Sequence, residues 1–356
     1  MYAVGQTGTG KSTLLASLAR QDLFAGRGFC FIDPHGDVVE RLAVDADQSG
    51  RADVIYWNVP DPASPYGYNP LRYVRQDKIP LAVSGVLEAM RKLWSDAWGV
   101  RMEHILRNAL HALFERPGST LADVLRLLGE ESFRKEVAKS LKNEPVQQFW
   151  LKEFSRYSFG YRSDGIAPVQ NKIGAFLADP MLRRILTKPQ EDLHLRAIMD
   201  KGGALLVNLA KGQIGEDSAD LLGSLLVSTI GLAAFSRAGM PARDRRPFAL
   251  FLDEFQSFTT LSIATMASEL RKYGVSLTLA HQHLHQLEPE VRHAVLGNAG
   301  TLISFRTGAE DAFHLAREFS PVFDADDLIA LPNYHIFLKL MIDGTPSRPF
   351  SATTQS

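Results

Sequence analysis

The chain has 356 residues, 45% of them hydrophobic and 22% charged, and a formal net charge of −1 at neutral pH. This is the composition of an ordinary globular protein with room for two or three domain-sized units. It excludes a uniformly basic nucleic-acid coat, and the single cysteine, Cys30, excludes a disulfide framework and fits a reducing compartment. No stretch reaches the ~18 uninterrupted apolar residues that suggest a membrane span. Leu221 to Phe235 comes nearest, but it carries Gly, Ser and Thr and reads as a buried helix.

The first residues, Met1 to Val4, form an apolar strand-like stub that runs into Gly5-Gln6-Thr7-Gly8-Thr9-Gly10-Lys11-Ser12. This fills the phosphate-binding pattern G-x-x-x-x-G-K-[ST]: Gly5, Gly10, Lys11 and Ser12 stand at its fixed positions. In such a loop, glycines let consecutive N–H groups point inward at phosphate oxygens, and the lysine adds a point charge. Residues Gly5 to Thr13 are therefore the expected nucleotide site, with Thr13 to Arg20 as the helix whose N-terminus faces the anion.

Phe29 to Asp33 reads as a strand closed by the turn cluster Pro34-His35-Gly36-Asp37. Asp33 and Asp37 stand equally well as turn chemistry and as groups near the phosphates. Val54 to Trp57 is a third strand, followed by a proline-rich stretch to Pro70. From 71 to 200 helical periodicity dominates, in Leu81–Trp94, Arg101–Phe114, Leu121–Leu128, Phe149–Tyr157 and Lys172–Leu177, and Thr120 with Asp123 marks one helix start. This segment is expected to be an all-helical insertion domain. It holds 21 basic and 16 acidic residues, a weak excess of the sign that suits a polyanion, while the remainder holds 18 and 24.

Strand texture returns at Ala204–Leu209, Phe248–Leu252, Val275–Ala280 and Thr301–Phe305. These alternate with helices at Ser218–Phe235, Ile263–Tyr273 and Pro289–Leu296, and the chain closes with an antiparallel hairpin from Tyr334 through Asp343-Gly344. Alternation of this kind indicates a mostly parallel sheet. The expected organisation is a discontinuous core, 1–70 and 201–356, carrying an insertion at 71–200.

The near-continuous apolar run Phe248–Leu252 ends in Asp253-Glu254. Coupled to the phosphate loop, this is a Walker B arrangement: Asp253 and Ser12 are expected to order Mg²⁺, and Glu254 to act as general base on water. Gln282 follows the next strand, where an amide can meet a γ-phosphate or the lytic water. His281, His283 and His285 lack local partners for a metal site. Arg271 and Arg306 are the remaining cationic candidates for offsetting charge on the transferred phosphoryl group.

The motifs GQTGTGKS, FIDPHGD, FLDEFQSF, RKYGVSLTLAHQ and NAGTLISFRTGAEDA, in that order, resemble those of the type IV secretion coupling proteins, members of the HerA/FtsK superfamily of ring-forming DNA-pumping ATPases. The resemblance covers nearly the whole chain. It implies a RecA-like P-loop core with a helical insertion, the cofactors ATP and Mg²⁺, a homo-hexamer, and sequence-tolerant DNA as substrate. It implies a relaxase or secretion-channel proteins as partners. It also implies a cytoplasmic setting, with membrane attachment only through a region ahead of the P-loop. By the same likeness Lys11, Ser12, Asp253 and Glu254 keep the roles above, and Gln282 matches the sensor glutamine. Arg271 falls where the family has a trans-acting arginine in Gly-Arg-Lys, although Leu270 replaces the glycine here. Two alternatives remain: a HerA-like motor in DNA-end processing, and a nucleotide-switched docking ATPase that does not move DNA.

Overall fold

The computed structural model describes residues 1–72 and 74–354. The chain divides into two compact units, one of 1–60, 195–219 and 233–356, the other of 61–194 and 220–232.

The first unit is built on a nine-stranded sheet. In chain order its strands are β1 (Tyr2–Val4), β2 (Gly28–Asp33), β3 (Val54–Asn58), β4 (Ala204–Asn208), β5 (Phe248–Leu252), β6 (Val275–His281), β7 (Leu302–Ser304), β8 (His335–Lys339) and β9 (Phe350–Thr353). Across the sheet they lie as β9-β8-β7-β1-β6-β5-β2-β4-β3. Every pairing from β7 to β3 is parallel, and β8 joins antiparallel to both β7 and β9. The central strands are apolar throughout because both faces are covered: every residue of Gly28–Asp33 and of Ala204–Asn208 is buried. Helices Lys11–Phe24 and Asp37–Ser49 place Leu15, Ala19, Val39 and Leu42 on Phe29, Phe31 and Phe251 to make the core.

Two features position the site. Parallel strands present their carboxyl ends at one edge, where open α/β sheets bind ligands. One strand, β6, separates the strand that feeds the phosphate loop (β1) from the strand that carries the acidic pair (β5).

The closing hairpin is more elaborate than expected. His335–Lys339 pairs with Phe350–Thr353 in the main sheet, while Met341–Ile342 and Thr345–Pro346 form a separate small pair around Asp343-Gly344. The predicted helix Ile263–Tyr273 is an α-helix only over Leu261–Glu269 and tightens to a 3₁₀ turn over Leu270–Tyr273.

The second unit is built mainly of helices Ile79–Leu93, Val100–Phe114, Leu121–Gly129, Glu131–Ser140, Glu144–Gln148, Phe159–Ala178 and Pro180–Thr187, with a π-helical turn at Phe149–Glu153 that runs into the short helix Phe154–Arg156. The capping box at Thr120 and Asp123 is formed. Its aromatic core sets Phe149 edge-on against Trp150. It is not wholly helical, because Tyr66–Gly67 pairs parallel with Glu191–Asp192. Two-residue strands are too short to carry a periodic signal. The unit's limits also differ from the expected 71–200. It begins at 61 and ends at 194, and it takes in 220–232 from the helix Glu216–Phe235. That helix is long and apolar enough to cross a membrane, yet 72% of its most apolar window is buried within the fold.

Candidate nucleotide site

The loop after β1 is held by the strands beside it. The Gly5 N–H donates to the His281 carbonyl (3.3 Å) and the Gln6 N–H to the Arg306 carbonyl (2.8 Å), so the strands on both sides hold its start. Within the loop, the buried Thr9 hydroxyl donates to the Gln6 carbonyl (2.7 Å). Gly10, at φ +114°, turns the chain into helix Lys11–Phe24 through a conformation that other residues rarely adopt. Lys11 is 5% exposed, and its Nζ donates to the carbonyls of Gly5 (2.6 Å) and Gln6 (2.9 Å). Burial lowers the Lys11 pKa, against the opposing pull of Glu254 and Asp253.

The acidic pair lies opposite. Asp253 is 3% exposed, and its carboxyl accepts hydrogen bonds from the Ser12 hydroxyl and the Glu254 N–H. Burial first, then the charges of Asp33 and Glu254, push its pKa up to about 6. A carboxylate costly to ionise, joined to a P-loop hydroxyl, is suited to receive a divalent cation, and Ser12 with Asp253 are the residues that would hold Mg²⁺.

Glu254 stands at φ +47°, so the chain turns sharply there and brings its carboxylate back over the sheet edge. Both carboxylate oxygens accept from side-chain amides: Oε1 from Gln282 Nε2 (2.7 Å) and Oε2 from Gln256 Nε2 (2.5 Å). Gln282 in turn accepts from the Thr7 hydroxyl of the phosphate loop (2.8 Å). A polar chain Thr7–Gln282–Glu254–Gln256 therefore spans the site. The strand order explains it, because Gln282 follows the strand between the two motif-bearing strands. Gln256 was not foreseen; it sits in the 3₁₀ turn Phe255–Phe258, and no sequence pattern marks an amide two residues past an acidic pair.

The other candidates separate. Arg306 lies beside its own phosphate loop, its Nε 3.3 Å from Gln6 Oε1 and its Nη1 3.3 Å from the Leu331 carbonyl. Arg271 is exposed on the turn before β6, whose seven residues span roughly 20 Å, so it sits at the opposite edge from its own loop. Asp33, 1% exposed, accepts from the N–H groups of His35 (2.9 Å), Val38 (2.9 Å) and Val39 (3.3 Å). It caps helix Asp37–Ser49, in whose first turn the exposed Asp37 stands. His281 is fully buried against Tyr2 and Phe255, and burial drives its pKa down to about 3. His283 Nδ1 turns away toward Asp311 (3.3 Å).

Residues 247–322 match the family model described as the TraM recognition site of TraD and TraG. The fold is similar to that of a bacterial conjugative coupling protein, TrwBdeltaN70 in an unbound form, with a TM-score of 0.70 and 17% identity over 99% of this chain and 84% of that one. The plasmid coupling protein TrwB with a non-hydrolysable ATP analogue, ADPNP, also gives a TM-score of 0.70 at 17% identity, over 99% and 84% of the two chains. VirB4 of Thermoanaerobacter pseudethanolicus gives 0.63 at 16% identity, over 100% of this chain and 88% of that one. No curated protein sequence matches the chain. The chain thus has the α/β P-loop fold of these proteins, with a mostly parallel sheet.

Proposed function

We propose that this protein is an ATP-hydrolysing ring motor that moves DNA in conjugative, type IV secretion transfer. The observation that carries the reading is the polar chain from Thr7 through Gln282 to Glu254, which ties a phosphate loop to a carboxylate able to act on water. A similar coupling protein has been solved with ADP and Mg²⁺.

In this mechanism the loop N–H groups and Lys11 bind the β- and γ-phosphates, Lys11 exchanging the Gly5 and Gln6 carbonyls for phosphate oxygens. Ser12 and Asp253 would hold Mg²⁺, which when bound would supply Lewis-acid stabilisation of the charge on the phosphates. Glu254 accepts the proton of the attacking water, for which one of its two amide partners gives way. Arg306 keeps Gln6 in place, and Arg271, at the far edge of its own sheet, reaches the site of a neighbouring protomer in a closed ring. DNA is held through its phosphates, without base reading, by the helical unit and by the one-turn helix Lys211–Ile214 after β4, which carries Lys211 and Gln213 in place of the loop that its glycine suggests. The protein acts in the cytoplasm, with relaxase or secretion-channel proteins as partners.

The test is ATPase rate with and without DNA of unrelated sequences across a salt titration. Stimulation by every sequence, fading steeply with salt, supports the motor. An unchanged rate at low salt from an assembled ring rejects DNA coupling in favour of a docking ATPase.

A further inference from the structure

Tyr334 precedes β8 at φ +66°, a left-handed conformation unfavourable for a bulky aromatic residue. Its backbone is tied on both sides. The N–H donates to the Thr9 carbonyl of the phosphate loop (2.8 Å), and the carbonyl accepts from the Thr354 N–H (2.7 Å) and hydroxyl (3.2 Å). The ring presses on Gly10: a Cβ there would lie 2.8 Å from Tyr334 Cδ1 and 3.3 Å from both Tyr334 Cε1 and Phe305 Cε1. The two rings beside Gly10 then differ in one respect. Phe305 is fully buried, whereas Tyr334 is 38% exposed. A backbone held in a strained state thus fixes an aromatic ring with open surface at the rim of the phosphate loop, beside the first turn of the helix that the phosphates cap.

We propose that Tyr334 is the platform on which the base of the bound nucleoside triphosphate stacks. The inference rests on the nucleotide reading above and deepens it, assigning the half of the ligand that the phosphate loop does not grip. An aromatic face accepts any base, and stacking of this kind is sequence-tolerant. Tyr334 therefore adds affinity for nucleosides over bare polyphosphate without choosing strongly among bases.

The experiment compares ATP with inorganic tripolyphosphate, both with Mg²⁺, on the full chain. Wild type binds ATP the more tightly of the two. Tyr334→Phe keeps that preference. Tyr334→Leu fills the space against Gly10 without a π face; it weakens ATP binding about tenfold or more and leaves tripolyphosphate binding within about twofold. Tyr334→Trp serves as a reporter, its fluorescence quenched by ATP and unchanged by tripolyphosphate. Equal loss of both ligands in Tyr334→Leu, or no loss of either, overturns the proposal and assigns the ring to propping the loop. Wild type that binds tripolyphosphate as tightly as ATP also overturns it while leaving the phosphate site intact. Wild type that binds neither ligand overturns the nucleotide reading together with it.

Discussion

Replacing Asp33 by Ala separates a structural carboxylate from a chemical one. The side chain is 1% exposed and accepts three backbone N–H groups, of which those of Val38 and Val39 belong to buried residues in the first turn of helix Asp37–Ser49. Leaving two buried donors without an acceptor costs ~1–3 kcal/mol each, and losing a negative charge at a helix N-terminus adds ~0.3–1 kcal/mol. Relief of the repulsion between Asp33 and Asp253 offsets part of this. The net expectation is a loss of roughly 3 kcal/mol, or a melting temperature lower by about 6–12 °C for a unit of this size. Asp33→Asn keeps one acceptor oxygen and loses about half as much. The assay is thermal unfolding by circular dichroism alongside ATPase rate per folded molecule at a temperature where both variants are folded. A melting temperature within about 1 °C of wild type, with ATPase down a hundredfold, would refute the capping assignment and place Asp33 in the chemistry.

Lys11→Ala is expected to abolish nucleotide binding or turnover, whereas Glu254→Gln still binds ATP and stalls hydrolysis; titration calorimetry and steady-state rates check both, and full turnover by Glu254→Gln would remove the base from its role. Gln256→Ala removes the amide that holds the Glu254 carboxylate in place while Gln282 gives way to water, so the base loses its orientation and kcat should fall about tenfold with KM unchanged; a rise in KM alone would mean that Gln256 acts on binding. Asp253, raised to about 6, holds a proton in the folded state that the unfolded chain releases above its ordinary value of 3.8, so its burial penalty is full above the folded pKa and fades as pH falls toward 4. Asp253→Asn should therefore be more stable than the Mg²⁺-free wild type by ~3 kcal/mol at pH 7.5 and by about half that at pH 5; a difference independent of pH would contradict the buried-charge account. Mixing Arg271→Ala with Glu254→Gln protomers should partly restore ATPase activity, since some interfaces then join an intact arginine to an intact base. No rescue in rings shown to have exchanged subunits would end the trans assignment.

Much of the core and site was legible because its chemistry demands fixed residues at fixed spacing. Gly5, Gly10, Lys11 and Ser12 cannot be moved along the chain and still wrap a phosphate, and an apolar run ending in Asp253-Glu254 can hardly be other than a buried strand reaching the sheet edge. Gln282 was legible by position, since it follows the strand after the acidic pair, where an amide can meet a γ-phosphate or the lytic water; that this strand lies between the two motif-bearing strands emerged only from the sheet order. What escaped depends on non-local geometry. Helix Asp37–Ser49 carries Val38, Val39, Leu42 and Ala46 at helical spacing, but the turn signals of Pro34 to Asp37 masked its start. The pairing of Tyr66–Gly67 with Glu191–Asp192 joins residues more than a hundred positions apart. The helix Glu216–Phe235 is one apolar element in sequence, and no composition change marks the points where it passes from one unit to the other. Tyr334 becomes notable only once its backbone conformation and its contact with Gly10 are known.

The Lys11 ammonium, already bonded to the Gly5 and Gln6 carbonyls, has a kinetic and calorimetric consequence. The loop carbonyls and the phosphate oxygens compete for one ammonium, so nucleotide binding includes a trade of oxygen partners by Lys11. Little ordering entropy accompanies such an exchange. Stopped-flow association should show a single phase linear in nucleotide concentration, without the plateau of a rate-limiting rearrangement. The heat-capacity change should be small and negative, set by the surface that the bound base covers on Tyr334.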